Sequence, residues 1–152
     1  MRKKKAKWAK YEQGTFHPQN KDKYKGTLPV IYRSSWELKL FRWLDRKTCC
    51  LTWGSESCIV RYKFNGGIHR YYIDVVAVMK TNSGPQKVLI EVKPYRQTQP
   101  PVESKRKKRK TIVYERYEYA KNIAKWKAAR KYAHQRNATF VILTEKDLFR
   151  DK

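Results

Sequence analysis

The chain predicts an α/β fold with the element order α–β–β–β–α–β, a single domain with basic ends. Three observations carry that prediction. Helical spacing recurs twice, in the apolar and aromatic Trp36, Leu40, Trp43 and Leu44, and again through 112–136 with Tyr119, Ile123, Trp126 and Arg130 among the regularly spaced positions. Between these stretches lie β-rich runs separated by Asn65-Gly66-Gly67 and by Thr81-Asn82-Ser83-Gly84-Pro85, both hairpin signals. The length, 152 residues, is enough for one real core.

In chain order, residues 1–24 are basic and polar, with Trp8, Tyr11 and Phe16 scattered among them and no sustained apolar period. They read as a partly disordered arm, either a solvated tail or a segment that orders on a partner, lysines on phosphates and aromatics in pockets. The domain proper then spans 25–152. It opens on an extended segment, 25–32, and a helix over 36–45. Ser34 stands where an N-cap belongs, and Glu37 three residues later completes the sequence of a capping box. Residues 50–53 and 58–64 read as strands, 69–79 as the next, and 87–93 as a third long one ended by Pro94. The segment 95–111 changes character: Ser104-Lys105-Arg106-Lys107-Lys108-Arg109-Lys110 is a basic loop (103–110) or helix start, suited to phosphate contact or to a nuclear address. A helix over 112–136, a buried strand over 139–143 and a short helix at 145–149 complete the order. There is no internal repeat.

Net charge narrows the function classes. With 37 Lys+Arg against 13 Asp+Glu the formal charge is +24. Such an excess strains a compact fold by self-repulsion, so a polyanionic partner is expected, and nucleic acid is the leading one. A membrane is not expected, because no run approaches the ~20 apolar residues of a span and no amphipathic basic helix with a greasy face stands out. Met1-Arg2-Lys3-Lys4-Lys5 lacks the apolar segment of a secretory signal, so a reducing interior is expected. Cys49, Cys50 and Cys58 agree with that compartment: an odd count with an adjacent pair is no disulfide framework. They read as ordinary buried thiols, a zinc site with His69 being the alternative.

Within this frame, acids sit where apolar residues are expected. Asp74 lies among Ile73, Val75 and Val76, and Glu91 among Leu89, Ile90 and Val92. On a strand, Glu91 and Lys93 share one face while Ile90 and Val92 point to the other. Two adjacent strands lie ~4.8 Å apart, so both carboxylates can hold one ion. Carboxylates on central strands need a charged partner. Mg²⁺, with its preference for hard oxygens, is the cofactor expected, with Mn²⁺ able to substitute. An activated water and a nearby phosphodiester then follow from the charge of the chain, with Lys93 orienting the nucleophile or steadying the phosphorus. The plainer alternative is a solvated sheet face with Asp74 at its edge. Glu37 has two readings as well, capping residue or third acid, and Glu56 in Trp53-Gly54-Ser55-Glu56 is divided between turn chemistry and a place near the ion.

The ordered set Tyr32-Arg33-Ser34-Ser35-Trp36-Glu37, Leu44-Asp45, Trp53-Gly54-Ser55-Glu56, His69-Arg70-Tyr71-Tyr72-Ile73-Asp74 and Ile90-Glu91-Val92-Lys93-Pro94 resembles the PD-(D/E)xK nuclease superfamily. Closer still, it is similar to the head-completion nucleases of T4-like tailed phages and to TnsA-type transposon endonucleases. The resemblance covers roughly residues 25–95. It implies a restriction-endonuclease-like core, a mixed central sheet flanked by helices, and Mg²⁺-dependent cleavage of double-stranded DNA. Glu37, Asp74, Glu91 and Lys93 become the catalytic set, the three acids the metal ligands, and Arg33 with Lys105, Arg106, Lys107, Lys108, Arg109 and Lys110 the DNA contacts. Ile73 stands where the superfamily's name places proline. No fourth motif is legible beyond Pro94, and the sequence does not choose among Lys121, Asn122 and Lys125. The resemblance also implies action on DNA ends of a freshly filled phage head, in the virion's head–neck region and the bacterial host's cytoplasm, beside head, portal or neck proteins. A structural, DNA-clamping head-completion protein and a basic nucleic-acid-binding protein without catalysis are the competing functions. The oligomeric state is open.

Overall fold

A computed structural model describes residues 13–150. Its centre is a four-stranded sheet in the order β3-β4-β5-β6. Here β3 is Cys50–Phe64, β4 Gly67–Thr81, β5 Gly84–Val92 and β6 Thr139–Leu143. The first three run antiparallel, and β6 lies parallel to β5, so the sheet is mixed. Helix α1 (Ser35–Arg46) and helix α2 (Arg109–Gln135) take opposite faces, and a four-residue helix α3 (Glu145–Leu148) follows β6. Successive β5 residues divide between the two cores. Ile90 joins Leu40, Phe41 and Leu44 of α1, whereas Leu89 joins Trp126, Ala129 and Ala133 of α2. This is the restriction-endonuclease-like arrangement expected from the sequence. Among the described residues no helix is long and apolar enough to cross a membrane.

Local chemistry explains the joints. Asn65 (φ 50°) and Gly66 (φ 76°) form a two-residue turn between Phe64 and Gly67, the left-handed pair that matches the twist of the flanking strands. Ser34 Oγ accepts from the Glu37 N–H at 3.1 Å and caps α1. The reciprocal half of the expected capping box is displaced by one residue: Glu37 Oε2 accepts from the Arg33 N–H at 2.8 Å.

Three sequence expectations change. Residues 50–53 and 58–64 are one 15-residue strand. The apparent break is a bulge: Ser55 pairs with Val75 and Cys58 with Ile73, so Glu56 and Ser57 both stand opposite Asp74, and Glu56 adopts φ 50°. A bulge bends and over-twists its strand pair. Here it carries β4 from one core to the other. Val75 and Ala77 pack with α1, while Tyr71 and Ile73 pack with α2, although a flat strand would turn all four to one face. The buried stripe of α2 is Asn122, Trp126, Ala129 and Ala133; Ile123 and Arg130 are exposed. Alanines let the helix lie close on the sheet, which larger residues would prevent.

The third change concerns the domain's start. The part of the expected arm in residues 1–12 lies outside the described residues. From Gly14 onward the chain is packed on the body rather than extended from it. Strand β1 (Gly14–Phe16) pairs with β2 (Val30–Tyr32), and Tyr24 bridges to Trp53. The Phe16 and Tyr24 rings lie 5.9 and 4.8 Å from the Trp53 ring. A Cβ on Gly54 would meet the backbone of Gly26 at 3.0 Å, so the crossing needs glycine. These contacts come from single anchors, not from a periodic pattern, which is why the sequence reads as a tail.

Candidate active site

The bulge and the end of β5 build the site. Pairing between β4 and β5 stops at Val75–Ile90, while β5 continues beside β6 through Val92–Leu143. The strands therefore part at Asp74 and Glu91, and a fork opens between them. Asp74 Oδ2 spans it by accepting from the Val92 N–H at 2.8 Å. Glu91 is buried, and its Oε1 lies 3.5 Å from Lys93 Nζ, on the same face as the sequence requires. Ile90 and Val92 point the other way, into or against the α1 core.

Glu37, in the first turn of α1, completes an acidic group. Burial raises its pKa, and the nearby charges of Glu56 and Glu91 raise it further, against the Arg33 N–H and guanidinium. Asp74 titrates well above the usual carboxylate range because it is buried and faces the charges of Glu91 and then Glu37. Like charges held this closely favour a cation beside them. Lys93 supplies one, and Arg33 stands nearby, though its guanidinium is clamped on Glu56 at 2.7 and 3.3 Å. A pocket lined by Arg33, Ser34, Trp36, Glu37, Lys93 and Gln97 opens beside this group.

The fit to a divalent ion is specific but incomplete. Among the described residues no three carboxylate, imidazole or thiolate groups converge tightly enough to cage an ion unaided. Asp74 and Glu91 are neighbours, and Glu37 lies within their electrostatic reach, its Oε2 committed to Arg33 N. Mg²⁺ keeps several of its waters and takes one or two carboxylates, so this set of hard oxygens suits it. No comparable set surrounds the cysteines. Cys50 lies in the α1 core, Cys58 flanks the α2 core, and His69 packs at a tilt against Tyr62 near the hairpin with its Nε2 3.1 Å from Phe64 O.

Of Lys121, Asn122 and Lys125 on α2, Asn122 is buried and both lysines are half-buried. Lys125 is half-buried with its Nζ 5.4 Å from the Tyr71 ring centroid. Burial lowers its pKa, as does repulsion from Lys93 and Lys121, with Glu91 opposing. Tyr71 reads from the sequence only as part of the motif that ends in Asp74, and Trp126 only as a helical apolar position; neither carries a sequence signal for its buried polar atom.

The basic segment divides. Arg109 and Lys110 belong to the first turn of α2, Lys108 is its N-cap, and no acidic residue offsets them there. Lys105, Arg106, Lys108, Arg109 and Lys110 are exposed. Lys107 departs from the expectation: its Nζ is held by Glu115 Oε2 and the Val102 carbonyl, both at 2.7 Å. A neutralised lysine releases no counterions. Each exposed cation replaced by glutamine should flatten the log K against log [salt] slope for duplex DNA by up to ~0.9, and Lys107→Gln by much less, as fluorescence anisotropy over a salt series would measure.

The family described as TnsA-like endonuclease N terminal matches residues 48–145. The Head completion nuclease of Enterobacteria phage T4 is 40% identical over 141 residues, which cover 89% of this chain and 92% of that protein. On both grounds the chain belongs to the TnsA-like endonucleases, in the same family as the T4 head completion nuclease.

Proposed function

We propose that this member of the family is a Mg²⁺-dependent endonuclease that hydrolyses phosphodiester bonds of double-stranded DNA. Its site of action is the end of packaged DNA during virion assembly, in the head–neck region and the host cytoplasm, next to head, portal or neck proteins. The observation that carries the chemistry is the fork between β4 and β5, which sets Asp74 and Glu91 side by side with Lys93 against Glu91. The biological setting rests on the name of the T4 relative.

In this reading Asp74 and Glu91 hold the ion, with Glu37 at their margin. When bound, the ion supplies positive charge at the scissile phosphate and makes an adjacent water more acidic. Lys93 adds a fixed positive charge beside the phosphoryl oxygens, on which negative charge builds during attack. Arg33 exchanges Glu56 for a phosphate oxygen, a fork-to-fork substitution that guanidinium geometry favours. The exposed cations from Lys105 to Lys110 hold the duplex without reading its bases.

Supercoiled plasmid tests the proposal. Wild-type protein is expected to convert it to nicked or linear forms in Mg²⁺ or Mn²⁺ and to stop in EDTA. Lys93→Ala is expected to slow conversion about 10²–10³-fold while Mn²⁺ binding, followed by calorimetry, persists. Conversion that continues unchanged in EDTA would overturn the metal dependence, and inertness of the wild type on plasmid and linear duplex alike would overturn hydrolysis itself.

A further inference from the structure

The α2 side of Glu91 is lined with donors. Among the described residues, Tyr71 Oη, Glu91 Oε2 and Trp126 Nε1 are fully buried side-chain atoms without a hydrogen-bond partner. They come from β4, β5 and α2, and their residues are only 4%, 6% and 2% exposed. Tyr71 has both of the others as neighbours. Burial raises its phenol pKa, the charge and contact of Glu91 raise it further, and contact with the Trp126 indole lowers it. The chemistry of the three groups allows one arrangement, because an indole N–H only donates, a carboxylate only accepts and a phenol does both. A buried carboxylate, phenol and indole N–H brought together need such pairing to offset their lost hydration. The other oxygen of Glu91, Oε1, is the one beside Lys93.

We propose that Tyr71 and Trp126 are positioning residues for Glu91: Trp126 Nε1–H donates toward Tyr71 Oη and the Tyr71 hydroxyl toward Glu91 Oε2, each link closed by a bridging water or a small side-chain rotation, since none of the three atoms is bonded directly. The carboxylate is thereby held with Oε1 turned to Lys93 and the cleft. The proposal rests on the nuclease reading above for its consequence, not for its geometry. It joins three elements that the sheet alone leaves separate, because β4 has already parted from β5 at this level. Lys125, above the Tyr71 and Tyr62 rings, closes the same chamber with a cation. The helix whose first turn carries Arg109 and Lys110 is thus tied through Trp126 to the carboxylate that would hold the ion.

Two readouts test this on the full-length protein. In the metal-free state, the Trp126 indole ¹⁵N–¹H resonance is expected to exchange slowly with solvent and to shift in Tyr71→Phe and again in Glu91→Gln. A resonance that stays in place in both variants overturns the relay, whatever the nuclease assay gives. In the second readout, Tyr71→Phe, which keeps the ring, is expected to weaken Mn²⁺ binding about 10-fold or more by calorimetry. It should lower kcat with little change in KM for DNA. Trp126→Phe should move the same way by a smaller factor. A folded Tyr71→Phe protein with Mn²⁺ affinity and kcat within about twofold of wild type overturns the positioning role. Wild-type protein that neither binds Mn²⁺ nor cuts DNA overturns the nuclease reading instead, and the metal-free resonance then decides the relay alone.

Discussion

Replacing Asp74 by alanine is expected to abolish DNA cleavage, a loss on the order of 10³-fold or more, and the companion change to asparagine is expected to stabilise the metal-free protein. Both follow from one geometry. Asp74 bridges the fork through Val92 N while facing the charges of Glu91 and Glu37, and its pKa is raised first by burial and then by those charges. A carboxyl with a higher pKa when folded binds its proton more tightly in the native state. Stability therefore falls as pH rises from the unfolded value, about 4, through the raised folded one. Asparagine keeps an acceptor for Val92 N and removes the charge. At neutral pH in EDTA it should gain on the order of 1 kcal/mol, about 3 °C in Tm, and the gain should vanish as pH falls below about 4. Mg²⁺ should raise the Tm of the wild type and leave that of Asp74→Asn nearly unmoved. A variant without the carboxylate that still cuts plasmid, or one that melts earlier at pH 7, would contradict the assignment.

The parts legible in the sequence are those set by short periods. Ile90 and Val92 enter the α1 core while Glu91 and Lys93 meet on the other face, because period two allows nothing else on a strand buried on both sides. Ser34 caps α1 as its position demands. What period two does not reveal is where two strands stop pairing. The juxtaposition of Asp74 with Glu91 depends on the end of the β4–β5 ladder at Val75 and on the bulge at Glu56 and Ser57. Gly54-Ser55-Glu56 reads equally as a turn or as a bulge, and only the partner strand decides. The same holds for Glu37: the capping pattern and the acidic site use the same residue, with its N–H on Ser34 and its carboxylate toward the fork. Lys125 was unresolved because neighbours three and four residues apart on a helix share a face, and the sheet's curl selects among them.

The same limit makes the strongest stability prediction. If residues 14–24 were a tail, Asp45→Ala would change little; the structure instead predicts a loss of roughly 2–3 kcal/mol. Asp45 is 2% exposed. Its carboxylate accepts from the backbone N–H groups of Gln19 at 2.9 Å and Asn20 at 3.3 Å. Its own carbonyl accepts from Asn20 Nδ2 at 2.7 Å. Lys23 Nζ covers the carbonyls of Leu44, Asp45 and Lys47 at 2.8, 3.0 and 2.8 Å, a cation at the negative end of α1 where the helix dipole favours it. Alanine would leave two backbone donors unpaired and loosen the strap that covers Trp53. The expected fall in Tm is roughly 6–9 °C, with faster amide exchange at Gln19 and Asn20 and with α1 still helical. Lys23→Met should reproduce part of it by uncapping the helix while keeping the stem. Amides of Gln19 and Asn20 that already exchange freely in the wild type, together with an unchanged Tm in Asp45→Ala, would return the segment to the solvated arm that its composition suggests.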